Sequence, residues 1–273
     1  LFLAVFVTLS LTLWRSRHRR GLPRWVPALA LASASFLLVF TWARGAWLFL
    51  AVMLGVKLLL EPRRMLVPVL VLSVAGGALF GPRIAARFSD VRPDMSLRRI
   101  VAWDQHENSF EWRILNWFIL VNIGSHRPLL GHGTGATPEV NPIRDRSHFF
   151  DEVRGYSAHN EFVAYFVEGG AAGVAVLCAY FYLLGRWLWR VRRKLRARGD
   201  PAGELAGVAL EVLAGFLVIS ALTTQPLGGT ALYYYVVCLF ALVKAAEETG
   251  EVAAEPNRRP SPGSVEAVRS PGT

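Results

Sequence analysis

Seven stretches of this chain are almost wholly apolar, at about 1–14, 26–42, 46–60, 65–80, 160–184, 205–223 and 230–244, and polar segments divide them. The longest reads "NEFVAYFVEGGAAGVAVLCAYFYLL" over 160–184. Roughly twenty apolar residues in a helix cross a hydrocarbon layer ~30 Å thick, so the pattern predicts bilayer-crossing helices. The expected fold class is an all-α polytopic membrane protein with about seven transmembrane helices. A further stretch, "SFEWRILNWFILVNI" (109–123), is apolar and rich in Trp but too short to span, and predicts a helix lying at the membrane interface. After it comes "SHRPLLGHGTG" (125–135). Its glycine spacing resembles a phosphate loop, but no strand precedes it and no Lys-Ser/Thr pair follows, so it reads as a Pro-Gly turn.

Charge gives these helices a direction. Basic clusters lie at 15–20 ("RSRHRR"), 61–64 ("EPRR") and 185–200 ("GRWLWRVRRKLRARGD"), and all fall on one side if each apolar run crosses once. With Arg24, Lys57, Lys244 and the C-terminal tail, that side holds 19 of the 30 Lys and Arg residues and is expected to be cytoplasmic. The net charge of +10 is therefore explained by topology, and nucleic acid is not expected as a partner. The opposite side carries a long loop, 81–158, with ten Arg, nine acids and no Lys. Mean hydropathy of +0.35 agrees with a membrane protein. The two cysteines, Cys178 and Cys238, sit inside apolar runs and suggest neither a disulfide nor a metal site. The tail is rich in Pro, Ser and Gly and predicts disorder. The domain reading is a membrane-embedded unit over 1–244, including the loop 81–158, and a disordered cytoplasmic tail over 245–273. Because the chain opens at Leu1 within an apolar run, it is expected to be the C-terminal part of a longer one.

The outer side is where chemistry is expected. His159 stands at the head of the 160–184 helix, where the positive end of the dipole disfavours imidazolium and keeps the ring able to accept a proton. The same position also suits an ordinary helix start capped by Asn160 or Ser157. Glu168 lies nine residues further on, where a carboxylate is costly unless paired or protonated, so it is either a structural hydrogen-bond partner or a catalytic group. Arg44, alone between two apolar runs in "FTWARGAWLFL", fits recognition of a diphosphate by its guanidinium fork or a snorkelling role at the interface, with Gly45 allowing a tight turn. Arg113 begins an R-x-x-x-W spacing with Trp117, its expected packing partner one turn later. A rival spacing is Arg99 with Trp103. His106, His126, His132 and His148 are scattered and read as solvated or structural, and Asp90 and Asp94 form no D-x-D pair.

Taken in order, "RGAW", "RILNW", "HRPLLGHGTG" and "HN" followed nine residues later by "GAAG" resemble the O-antigen ligase family, which includes related lipid-linked polysaccharide polymerases. His159 and Asn160 fit its pattern H-[NSQ]-x9-G-x-x-[GTY], with Gly170 and Gly173 at the glycine positions, and the likeness runs over about 26–244. His132 departs from the small apolar residue many members carry there. The resemblance implies a membrane glycosyltransferase of the bacterial inner membrane, with its active site on the periplasmic or extracellular side. It implies an inverting transfer of a glycan from a polyprenyl-diphosphate donor to a glycolipid, glycan or protein acceptor hydroxyl, without a metal ion or cofactor. In that scheme His159 is the catalytic base, Arg44 and Arg113 bind the diphosphate, and Asn160, Glu168, Gly170 and Gly173 support them. The acceptor stays open among lipopolysaccharide ligation, polymerisation and protein O-glycosylation. A membrane transporter with a path lined by Glu168, Glu211 and Arg44 is the alternative of a different class.

Overall fold

The structure is a computed structural model that describes residues 2–20, 23, 25–40, 44–89, 109–143, 157–222 and 231–252. Every regular element among them is a helix: α1 (Phe2–Arg20), α2 (Trp25–Phe40), α3 (Arg44–Leu60), α4 (Pro62–Ser89), α5 (Ser109–Gly124), the single turn α6 (Thr137–Val140), α7 (Glu161–Ala197), α8 (Ala202–Leu222) and α9 (Ala231–Val252). Each expected apolar run falls on a helix. Of these, α7 and α8 are long and apolar enough to cross a membrane, while Leu3–Trp14, Trp25–Leu38, Gly45–Leu60 and Met65–Ala78 are shorter apolar segments.

Helix boundaries differ from the sequence reading in physically sensible ways. The loop expected from 81 begins later, because α4 continues through Pro82 to Ser89. Residues 245–252, assigned to the tail, continue α9, where Lys244 pairs with Glu247 and Glu248 one turn on and Trp187 Nε1 donates to Glu247. Residues 253–273 lie outside the described set.

The core is built around α8. Ala206, Ala209, Val212 and Phe216 are buried against Phe49 and Met53 of α3 and Leu188, Val191 and Leu195 of α7. Gly215 is small because Phe49 lies over it: a Cβ there would stand 2.4 Å from the ring. Phe49 and Phe216 meet edge to face with centroids 5.9 Å apart. Eight residues along α3, Lys57 bonds Glu211, five residues back along α8, so the two helices run antiparallel.

That register fixes two ends. Arg196 and Arg192 of α7 hold Glu61 between α3 and α4, and Arg192 also donates to the Leu60 carbonyl. A tight turn at Gly199 (φ 70) and Asp200 reverses α7 into α8, with the Asp200 carboxylate accepting from the Ala202 N–H at 2.8 Å. The basic segments therefore gather at one end of the bundle. Lys57 is a correction to the charge count, which placed it with the cytoplasmic cations. It is only 4% exposed, bonded to both Glu211 oxygens at 2.9 and 3.2 Å and to Thr12 Oγ1 of α1 at 2.9 Å, and so ties three helices together inside the bundle.

Candidate active site at the head of a broken helix

At the other end, α7 starts where α8 stops. Asn160 is its N-cap: Oδ1 accepts from the Val163 N–H at 3.1 Å, satisfying one of the free donors of the first turn. The amide Nδ2 of the same residue donates to the Ala221 carbonyl at 2.6 Å and pins the head of α7 to the last turn of α8. Of the two expected caps it is Asn160 that serves, so His159 precedes the cap and lies just outside the helix. Its φ of 50 puts it in the left-handed region, sparsely populated by residues other than Gly and more tolerated by His, Asn and Asp. It is half-buried.

Two side chains of α5 hold the backbone that leads into it. Trp117 Nε1 donates to the Ala158 carbonyl at 2.7 Å, and Asn116 Nδ2 donates to the Ser157 carbonyl at 3.0 Å. Asn116 is fully buried and is itself held, since Asn141 Nδ2 donates to its Oδ1 at 2.7 Å while the Ile143 N–H donates to Asn141 Oδ1. Trp117, expected as the packing partner of Arg113, gives its indole N–H to the carbonyl next to His159. Asn116 and Asn141 were missed. A polar amide inside an otherwise apolar stretch, "ILNWFIL", was the available signal, since a buried amide needs partners. Arg113 lies on α5 four residues before Trp117 and so shares its face, about one turn nearer the helix N-terminus.

The helix is not continuous. At Gly170, φ 60 and ψ −153 break α7, and the loop after α5 enters the break. The Ala171 and Ala172 N–H groups donate to the Pro128 and Leu129 carbonyls at 2.7 and 3.2 Å, while the His132 and Gly133 N–H groups donate to the Val167 and Glu168 carbonyls at 2.8 and 2.9 Å. Groups freed by the break are thus paired with the turn. The fit leaves no room for side chains: a Cβ on Gly170 would stand 2.4 Å from the Leu129 carbonyl carbon, and one on Gly131 (φ 66) 2.4 Å from that of Glu168. Gly173, one turn past the break, would bring a Cβ to 2.6 Å from the Tyr165 carbonyl oxygen. The "PLLGHG" turn and the "GGAAG" glycines are therefore two halves of one joint.

Glu168 is half-buried at this joint. Its Oε1 accepts from Thr137 Oγ1 at 2.7 Å and from the Thr137 N–H at 3.4 Å, which gives it the structural partner that was one of its two expected roles. His132 Nε2 lies 3.0 Å from the Ile123 carbonyl at the end of α5, and His126 Nδ1 3.3 Å from the same oxygen. Arg44, expected in a tight turn, is the first residue of α3, and by the antiparallel register it starts at the end of the bundle where Asn160 meets Ala221. Its side chain lies outside the described set, as do Arg99, Trp103, His106, His148, Asp90 and Asp94.

A family model described as O-antigen ligase matches residues 28–178, more than half of the chain. The chain belongs to the O-antigen ligase family. The match begins in α2 and ends inside α7, so it takes in Arg44, α5, the turn, His159 and the break at Gly170, and is shorter than the 26–244 expected from the motifs. No curated protein matches this chain significantly. Within this family member, the matched segment is thus the part that builds the His159 end and its joint, while α8 supplies the wall against which that end is pinned.

Proposed function

We propose that the chain transfers a glycan from a polyprenyl-diphosphate donor to an acceptor hydroxyl at the outer face of the cytoplasmic membrane, with inversion and without a metal ion. The supporting observation is His159, held in a left-handed conformation at the mouth of a capped helix by Trp117 and Asn116 of α5 and by Asn160, the cap of α7 that is pinned to α8. A residue that only began a helix would need no such bracing. In the proposed reaction His159 takes the proton of the acceptor hydroxyl as its oxygen attacks the anomeric carbon. The bond from that carbon to the diphosphate oxygen breaks on the opposite face, and the polyprenyl diphosphate leaves with the electron pair. Arg44 and Arg113 offset the charge that develops on it. The first-turn N–H groups of α7 add to that field.

The seven-helix topology and the domain division at 244 belong to the same proposal, with the basic end of the bundle in the cytoplasm. A transporter path through Glu168 and Glu211 draws no support from their contacts, since Glu211 bonds Lys57 and Glu168 bonds Thr137.

The test is turnover of a polyprenyl-diphosphate glycan by purified protein, with the sugar-bearing product identified. His159→Ala is expected to lower turnover by about 10²-fold or more, the usual range for general base catalysis, with yield and melting temperature little changed. Near-normal turnover in this variant removes His159 from the chemistry.

A further inference from the structure

We propose that the exposed arginines at the basic end of α7, with the apolar groove beside them, form a binding site for an anionic phospholipid. This rests on α7 crossing the bilayer and not on the transferase reading. Within 186–198, Arg192 and Arg196 are engaged by Glu61 and Lys194 by Glu247. Arg186, Arg190 and Arg193 are exposed and have no acidic partner among the described residues. Their spacings of four and three put them on one helix face. Followed back toward the span, that face shows Tyr182 and Leu183, exposed by 63% and 60%, with Trp189 at its margin. An outward face that is apolar and aromatic at Tyr182 and Leu183 and cationic from Arg186 onward, with Trp189 among the arginines, matches the passage from hydrocarbon to headgroups.

Distance agrees with that placement. Arg186 lies 25 residues after Glu161, at most about 37 Å of rise at ~1.5 Å per residue because the break at Gly170 interrupts the helix, a length sufficient to cross a ~30 Å hydrocarbon core and reach the headgroup layer. Helical side chains lean toward the N-terminus, so Arg190 and Arg193 reach back toward the same layer.

Beside the stripe is a cavity of about 300 Å³ between α3, α7 and α8, lined by Val56, Leu60, Phe181, Trp189, Leu210 and Leu217 among others, all apolar. Trp189 forms its wall next to the arginines, with the Arg192 guanidinium 5.7 Å from the ring centroid. Because Trp189 and Leu217 are both exposed, the groove opens on the outer surface of the bundle. It runs from the basic end at Leu60 and Trp189 toward the interior of the span at Phe181. Guanidinium forks suit phosphate oxygens, and the groove suits an acyl chain. A free phosphate would use only the first and a neutral lipid only the second, whereas an anionic phospholipid uses both.

The experiment reconstitutes the full chain into bilayers of equal phosphatidylglycerol and phosphatidylcholine, extracts it gently, and measures the lipids it retains by native mass spectrometry. Wild type is expected to retain phosphatidylglycerol at least about fivefold over phosphatidylcholine, given the stabilisation each basic residue contributes near an anionic surface. The Arg186→Gln/Arg190→Gln/Arg193→Gln variant, changed only at exposed positions, is expected to retain the two lipids near parity. Ala214→Leu, which narrows the groove and leaves every arginine in place, is expected to lower total retention. No enrichment in wild type, or undiminished enrichment in the triple variant, overturns the site. The second result would mean that the anionic lipid sits elsewhere on the chain.

Discussion

His159 owes its position to neighbours that do not touch substrate in the proposed reaction. Trp117 reaches it through the Ala158 carbonyl and Asn116 through the Ser157 carbonyl, so both act on the backbone that sets the φ of 50. Trp117→Phe keeps most of the ring that packs near Leu120 and Val163 and removes only the indole donor. Loss of one such hydrogen bond costs about 1 kcal/mol, so turnover is expected to fall roughly fivefold with KM little changed. If the bond acts through His159, the same substitution costs almost nothing in a His159→Ala background. Equal losses in both backgrounds would make Trp117 a general packing residue. At this scale the sequence displayed the candidate residues His159, Asn160, Arg113 and Glu168, to which the proposal assigns the chemistry and its support. Their partners were not legible, because a hydrogen bond between residues 116 and 157 leaves no periodic trace in the chain.

Among the elements, α7 carries the least expected feature. Its apolar run reads as one uninterrupted span, yet the helix breaks at Gly170 and admits the Pro128–Gly133 turn, which satisfies the groups that the break frees. Gly170→Ala must place a Cβ at φ 60 and within 2.4 Å of the Leu129 carbonyl carbon, so turn and helix must separate. The expected loss is about 3 kcal/mol of stability, from the strained backbone together with the disturbed joint, read as a lowered melting temperature in detergent. An unchanged melting temperature would mean that the joint contributes little. Gly169 is the internal comparison, since a Cβ there meets nothing within 4 Å and Gly169→Ala should be tolerated far better. The glycines were visible in the sequence as a motif. What they were for was not, because a close approach of two backbones involves residues some forty positions apart.

Among the described residues of the whole molecule, the Lys57–Glu211 pair is a buried charge contact that links helices far apart in the chain. Both side chains are buried, and with Thr12 they join α1, α3 and α8. Removing one partner strands the other charge: Glu211→Leu or Lys57→Met alone is expected to cost roughly 3–5 kcal/mol, whereas the double variant should recover most of the loss. Thermal unfolding of the three proteins in one detergent checks this. A double variant no better than the singles would show that the pair contributes more than mutual neutralisation.

The sequence by itself determined the helical class, the positions of the apolar runs, the gathering of basic segments and the family, since each is carried by local composition, period or a short motif. Only the tertiary structure decided that Lys57 is an interior charge, that α7 is broken and plugged, and that Asn116, Trp117 and Asn160 brace His159. Each of those depends on which segments meet across dozens to more than a hundred and fifty residues. Such meetings are set by packing and by the need of every buried polar group for a partner, and no local pattern encodes them.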